Sequence, residues 1–230
     1  VREHNADMGL AFDGDADRVI LMDERGRLVD GDYMLAILAD HLRAQDKLLG
    51  NAVVTTTMAN GALAGFCQQR KLNLIETPVG DKYITEKLFN LSREDNAQSK
   101  LGLGGEQSGH VILFDAEHHT GDGLRSALFM LQVLSAHPAE PLSALTGNIQ
   151  KYPQIVASCA VAAKPDLKTI QPLEALLAEL RQALPGLVRS NLRYSGTEPK
   201  FRIMLEADTR HTATEVARYA WKVCELVQRE

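Results

Sequence analysis

Two alternations of apolar and polar positions divide this chain. Over residues 1–147, short apolar runs alternate with stretches of helical period. Met8–Phe12 and Val19–Met22 read as short buried strands, and a turn at Glu24–Arg27 returns the chain through Leu28 and Val29. Asp30 or Asp32 then caps a helix over Tyr33–Arg43, where Leu35, Leu38, Ala39 and Leu42 keep helical spacing. A strand at Ala52–Thr56, a helix capped by Asn60 and running to Arg70, a strand at Leu72–Glu76 and a helix at Lys82–Asn90 continue the alternation. The polar stretch Ser92–Lys100 separates these from two short, glycine-interrupted strands within Leu101–Asp115. Asp122 and Gly123 open a helix, Leu124–Ser135, with an apolar stripe at Leu124, Leu128, Leu131 and Leu134. Pro138 and Pro141 stop it, and the segment through Gly147 reads as the approach to a domain boundary.

From residue 148 the pattern changes. A strand (Gln154–Ala162), a helix (Pro172–Ala183), two strands (Val188–Tyr194 and Phe201–Ala207) and a final helix (Ala213–Arg229) fit a small α+β domain. Val216, Ala220, Val223 and Val227 give the final helix one apolar stripe. The expected fold class is therefore α/β: a mixed-sheet α/β domain followed by a small α+β C-terminal domain. The first strand begins so soon after Val1 that residues 1–32 read as the end of a partial, truncated α/β domain. Residues 33–147 then form the α/β domain and residues 148–230 the C-terminal one.

Composition adds limits. The chain has 230 residues, 45% hydrophobic and 24% charged, as expected for a folded globular chain. A net charge of -5 argues against a nucleic-acid surface. Cys67, Cys159 and Cys224 lack metal spacing and read as buried reduced thiols, which suits a cytoplasmic protein. No apolar run approaches the ~20 residues of a membrane span. The sequence leaves a homodimer open.

The chemistry concentrates in loops. Asp13, Asp15 and Asp17 place three carboxylates at alternate positions, followed by Arg18. In an extended segment they project to one side, and their repulsion calls for a cation, protonation or basic partners. Oxygen-only donors favour Mg²⁺, which takes about six oxygens at roughly 2.0–2.1 Å, and Arg18 offers a fork to a phosphoryl group. A solvated acidic turn is the bland alternative. An EF-hand puts Glu24 at its twelfth position but Arg18 where Gly is needed, and the flanks read as strands. An aspartyl-nucleophile phosphatase would want Thr or Val at Asp17.

A second loop, Arg193–Arg202, combines the hydroxyls of Ser195 and Thr197, the open backbone of Gly196 and the charges of Arg193 and Arg202, and suits phosphate better than a plain turn. Gly104–His110 is glycine-rich with Glu106 and Ser108, which suit neutral sugar hydroxyls. His110, taken alone, reads as a structural hydrogen-bonding residue before a catalyst. Thr77–Tyr83 is a tight turn into a helix, for which helix initiation explains Gly80 and Asp81, with the cation Lys82 at the helix start. No nucleotide fingerprint is present.

Five motifs carry a resemblance: Asp13-Gly-Asp-Ala-Asp-Arg18, Thr77-Pro-Val-Gly-Asp81, Gly105-Glu-Gln-Ser-Gly-His110, Thr120-Gly-Asp-Gly123 and Arg193-Tyr-Ser-Gly-Thr-Glu-Pro199. In this order they resemble the α-D-phosphohexomutases, most of all the bacterial phosphoglucosamine mutase branch. The resemblance implies the end of the second domain, the third and the fourth of a four-domain enzyme whose N-terminal domains are missing here. In such enzymes a phosphoserine exchanges its phosphoryl group with a hexose phosphate through a hexose 1,6-bisphosphate. It further implies that Asp13, Asp15 and Asp17 hold Mg²⁺ and Arg18 steadies the transferred group. Glu106 and Ser108 would meet the sugar, and Arg193, Ser195, Gly196, Thr197 and Arg202 the other phosphate; Gly80, Asp81, Lys82 and His110 are further candidates. The favoured reaction is glucosamine 6-phosphate to glucosamine 1-phosphate, with Gln107 and Gly109 leaning toward the amino sugar. The alternatives are a phosphomannomutase/phosphoglucomutase and a non-catalytic sugar-phosphate-binding module. The family's Ser-His-Asn-Pro nucleophile segment is absent, since no Ser-His pair occurs in the sequence, so the chain alone is expected to be inactive.

Overall fold

The strand at Met8–Phe12, expected to be buried, is not: Leu10 and Phe12 are exposed, and it is the alternation in Val19–Asp23 that sends side chains into the core. In the computed structural model, which describes residues 1–95 and 99–229, β1 (Met8–Phe12) and β2 (Val19–Asp23) pair antiparallel with Phe12 opposite Val19, and β3 (Leu28–Val29) adds to β2. Val19 and Leu21 point into the core, and Asp23 is equally buried. Burial alone would raise the Asp23 carboxyl. Its bonds from the Arg27 amide (2.8 Å), Arg27 Nε (2.8 Å) and the Arg25 amide (3.0 Å) instead hold it below the ordinary range.

The chain divides into two compact units, Val1–Gln150 and Lys151–Glu230. In the first, α1 (Gly31–Ala44), β4 (Leu48–Thr56), α2 (Gly61–Arg70), β5 (Asn73–Thr77), α3 (Asp81–Asp95), β6 (Leu101–Gly105), β7 (Val111–Phe114), α4 (Gly123–Ala136) and α5 (Leu142–Thr146) follow in order. The sheet runs β5-β4-β6-β7, parallel except for β7. Met34, Leu35, Leu38 and Leu42 of α1 join Leu63 and Phe66 of α2 and Met130 of α4 in one core, which also takes Val19, Leu21 and Val29 from the N-terminal sheet. A smaller cluster, Val54, Ile84, Leu88, Ile112 and Phe114, packs α3 on the sheet. Thr56 lies opposite Thr77 and Thr55 opposite Gly105, so the parallel strands end level and send their loops to one edge. In open α/β sheets that carboxyl edge is where ligands bind.

In the second unit, β8 (Gln154–Ala160), α6 (Gln171–Ala183), β9 (Leu187–Tyr194), β10 (Lys200–Ala207) and α7 (Ala213–Arg229) form an antiparallel sheet, β8-β10-β9, with two helices. Val216, Ala220, Val223 and Val227 of α7 are buried with Phe201, Ile203 and Leu205 of β10. Each of these valine, isoleucine, leucine and phenylalanine side chains contributes about 1.5–3 kcal/mol. The helix starts on a reciprocal cap: the Glu215 amide donates to Thr212 Oγ1 (3.2 Å) and the Thr212 amide to Glu215 Oε2 (2.7 Å).

Three further expectations change. Leu124, Leu128 and Leu131 are exposed, and α4 instead buries Ala127, Met130 and Val133 beside Gly123 and Ser126. Small residues permit the closer approach, and leucine spacing alone marks a face without saying which way it points. Of the two expected caps of α1, Asp30 occupies the N-cap position, though without a side-chain cap bond, and the helix begins at Gly31 rather than Tyr33, which puts Asp32 in its first turn. The segment approaching the boundary contains α5, with Leu142 in the core. Of the polar stretch Ser92–Lys100, residues 96–98 lie outside the described residues. All three cysteines are buried and free, and no described helix is long and apolar enough to cross a membrane.

Candidate functional site

The connection from β1 to β2 is too short for anything but a tight loop. Ala16 takes a left-handed conformation (φ 58°), its amide donates to the Asp13 carbonyl (3.3 Å), and the Arg18 amide donates to Asp13 Oδ1 (3.2 Å). This curl brings one carboxylate oxygen from each of Asp13, Asp15 and Asp17 within 4.8 Å of one another. Unit charges about 5 Å apart repel by about 1–3 kcal/mol in a surface environment. Arg18 Nε offsets part of this at 3.7 Å from Asp13 Oδ2 and 3.7 Å from Asp17 Oδ1. Asp17 Oδ1 is nevertheless buried without a hydrogen-bond partner. An all-oxygen donor set with one orphaned carboxylate oxygen fits a hard divalent cation.

Two other segments fix this loop from behind. The Val19 amide donates to the Gly109 carbonyl (3.2 Å), and the Gly123 amide to the Ala16 carbonyl (2.9 Å). Gly109 adopts φ +89°, and a Cβ there would strike the Val19 carbonyl oxygen. A Cβ at Gly123 would stand 2.6 Å from the Arg18 carbonyl oxygen, and one at Gly121 would strike the His110 ring. The Thr120–Gly123 motif thus works as a spacer that lets three loops meet. His110 is 4% exposed; its Nδ1 lies 3.1 Å from Asp17 Oδ2, and its Nε2 has no hydrogen-bond partner.

The glycine-rich loop after β6 is held by the start of α1. The Gly31 amide donates to the Gln107 carbonyl (3.1 Å), and Gln107 Nε2 donates to the buried carboxylate of Asp32 (2.9 Å), which also accepts the Asn60 amide (3.2 Å). Gln107 therefore faces inward and acts on loop shape, whereas Ser108 is exposed and Glu106 half-buried. In the loop after β5, Gly80 takes φ +132° and Asp81 accepts the Lys82 amide (2.7 Å). Lys82 Nζ lies 4.7 Å over the Tyr83 ring.

In the second unit, Arg193–Arg202 is the β9–β10 hairpin. Ser195 is buried, donating its amide to the Lys200 carbonyl (2.8 Å) and accepting the Glu198 amide on Oγ (3.3 Å). Gly196 and Thr197 are exposed, and the space above the Gly196 Cα is open. Arg202, expected to supply charge to a phosphate, is bonded within the loop: its Nη2 donates to Glu198 Oε2 (2.7 Å), while Lys200 Nζ donates to Glu198 Oε1 (2.6 Å). These side-chain bonds, Lys200 first, hold the Glu198 carboxyl below its usual range. Glu198 was thus missed as a charge-bearing part of the loop, although a lone acid between Arg193 and Arg202 was a visible signal.

A cavity of about 890 Å³ opens elsewhere, on the helical side of the first unit. Several of its polar groups pair with one another: Arg70 Nε donates to both Asp40 oxygens (3.1 and 3.0 Å), and His41 and Gln45 share a bond (2.7 Å).

The family model described as phosphoglucomutase/phosphomannomutase, alpha/beta/alpha domain III, matches residues 30–152, and that of the C-terminal domain matches residues 158–221. The phosphoglucosamine mutase of Bacillus subtilis (strain 168) is 37% identical over 230 residues, covering 100% of this chain and 48% of that protein. The phosphoglucosamine mutase of Symbiobacterium thermophilum is 40% identical over 231 residues, with the same 100% and 48% coverage. The chain thus spans about half the length of these relatives. Among solved structures, an N-acetylglucosamine-phosphate mutase in its substrate complex, a member of the alpha-D-phosphohexomutase superfamily, matches with a TM-score of 0.74 at 24% identity, covering 96% of this chain and 48% of that one. An Aspergillus fumigatus N-acetylphosphoglucosamine mutase in complex with GlcNAc-6P and magnesium gives a TM-score of 0.71 at 22% identity, with 96% and 48% coverage. At these identities the structural likeness speaks for the fold.

Proposed function

Because the chain belongs to the phosphoglucomutase/phosphomannomutase family, we propose that it is part of a Mg²⁺-dependent phosphohexomutase that interconverts glucosamine 6-phosphate and glucosamine 1-phosphate. The observation that carries this reading is the convergence of Asp13, Asp15 and Asp17 within 4.8 Å beside His110 of the glycine-rich loop. Relatives named phosphoglucosamine mutase along the whole chain support the amino sugar.

Asp13, Asp15 and Asp17 would hold the Mg²⁺. When bound, the ion supplies charge neutralisation for a phosphoryl group in transfer. Arg18, already beside two of these carboxylates, would turn its fork to that group, and Glu106 and Ser108 would orient the sugar through its hydroxyls. Arg193, Ser195, Gly196 and Thr197 would bind the phosphate that is not in transfer, with Arg202 joining once it leaves Glu198. Phosphoryl transfer asks mainly for such positioning and charge. In this reading residues 1–32 end one domain, residues 33–147 serve the sugar and residues 148–230 the phosphate. The nucleophilic serine belongs to the missing N-terminal domains, and the enzyme works in the cytoplasm.

Adding glucosamine 6-phosphate to the chain with Mg²⁺, followed by amide chemical shifts, tests the reading. Shifts at both Glu106–His110 and Arg193–Thr197 are expected, without turnover in a coupled mutase assay. Silence at both loops overturns the proposed ligand. Full turnover by a preparation of this chain's intact mass overturns the assignment of the nucleophile to another segment.

A further inference from the structure

We propose that Lys164 is a positioning residue of the phosphate loop: its ammonium holds the Ser195–Gly196 peptide so that the Gly196 N–H serves a bound phosphate, and adds positive charge to the loop. The inference rests on reading Arg193–Arg202 as a phosphate site. Lys164 lies outside that hairpin, in the segment after β8, yet it is tied to it. The Val161 amide donates to the Pro199 carbonyl (3.0 Å), and Lys164 Nζ donates to the Ser195 carbonyl (2.6 Å).

Charge accounting gives this contact its meaning. Lys200 and Arg202 both donate to Glu198, so their charges are largely answered within the hairpin. Among the described residues, no carboxylate stands within 4.0 Å of Lys164 or of Arg193. Lys164 spends one of its three N–H donors on a neutral carbonyl, which does not answer the ammonium as a carboxylate would. A cation on a carbonyl oxygen polarises the whole peptide group, and the N–H of the Ser195–Gly196 peptide belongs to Gly196. Space beside Gly196 is open, and Ser195 is buried and fixed on both sides by hairpin bonds. Gly196 is itself exposed, and a firmly held, polarised N–H on an exposed glycine is an anion donor.

Inorganic phosphate, titrated into the chain by calorimetry or NMR at two salt concentrations, tests the role. Lys164→Gln retains a donor without the charge and should bind phosphate about 3- to 10-fold more weakly at low salt, in line with the effect of one partly screened charge. Lys164→Arg should stay within about twofold of the parent, and the deficit of the Gln variant should shrink at high salt. Unchanged affinity in Lys164→Gln, with Arg193→Gln clearly weakened, overturns the role of Lys164 and leaves the phosphate site standing. A deficit that salt does not move overturns the charge role in favour of a merely structural one. Phosphate binding that is indifferent to Arg193→Gln as well removes the phosphate reading itself.

Discussion

His110 Nδ1 stands 3.1 Å from Asp17 Oδ2, so the last residue of the glycine-rich loop touches the last carboxylate of the β1–β2 loop. The contact occupies one oxygen of Asp17 and leaves Oδ1 buried and without a hydrogen bond, 3.7 Å from Arg18 Nε. Such outer partners orient ligands, and losing one typically costs about 10–100-fold in metal affinity. His110→Ala should therefore weaken Mg²⁺ binding about tenfold by calorimetry, with Asn restoring part of it. Equal affinity in the Ala variant would sink the idea that His110 orients Asp17.

Glu198 occupies two of the cations of the β9–β10 hairpin, as a phosphate would. Glu198→Gln should release Lys200 and Arg202 and tighten inorganic phosphate binding several-fold at low salt. If titration finds affinity unchanged or lower, Glu198 is a scaffold of the loop rather than a competitor for it.

Periodicity was enough to identify most elements, because α7 buries the four positions its spacing marks and β4 carries the apolar run Ala52–Val54 into the core, but it missed α5. It failed for α4, where the leucines form the more obvious stripe and the small residues make the contact. The aspartate loop was legible because like charges at alternate positions have few other uses. The Asp32–Gln107 bond was not, since it joins residues 75 apart whose meeting depends on how α1 starts beneath the β6 loop. The same holds for Lys164 and Ser195, 31 apart.

Two glycines should respond differently to alanine. Gly109→Ala must place a side chain at φ +89° and against the Val19 carbonyl, where backbone strain alone costs about 1–3 kcal/mol. Urea unfolding should register a loss of about 2–4 kcal/mol once overpacking is added. Gly196→Ala meets nothing within 4 Å and should leave stability within about 0.5 kcal/mol of the parent. Similar losses at both positions would contradict the geometry of the two loops.

Asp115 follows β7 and fixes the turn that leads to Gly121 and Gly123. Burial alone would raise its carboxyl. Arg125 Nη2 at 2.6 Å, the amides of Glu117 and His118 at 2.9 Å each and His118 Nδ1 at 3.0 Å instead hold it well below the ordinary carboxylate range. A depressed folded value means that the unfolded chain takes up this proton first as pH falls. The contribution is therefore complete above the unfolded pKa, roughly 3.9, and is lost as acid approaches the folded value. Asp115→Asn should cost about 1–2 kcal/mol at pH 7, because Arg125 Nη1 is already without a hydrogen bond and its guanidinium would lose its carboxylate. The difference from the parent should shrink as pH is lowered below about 4. Urea titrations at neutral and acid pH measure both quantities, and a difference that is constant with pH would show that the turn, rather than the charge, supplies the stability.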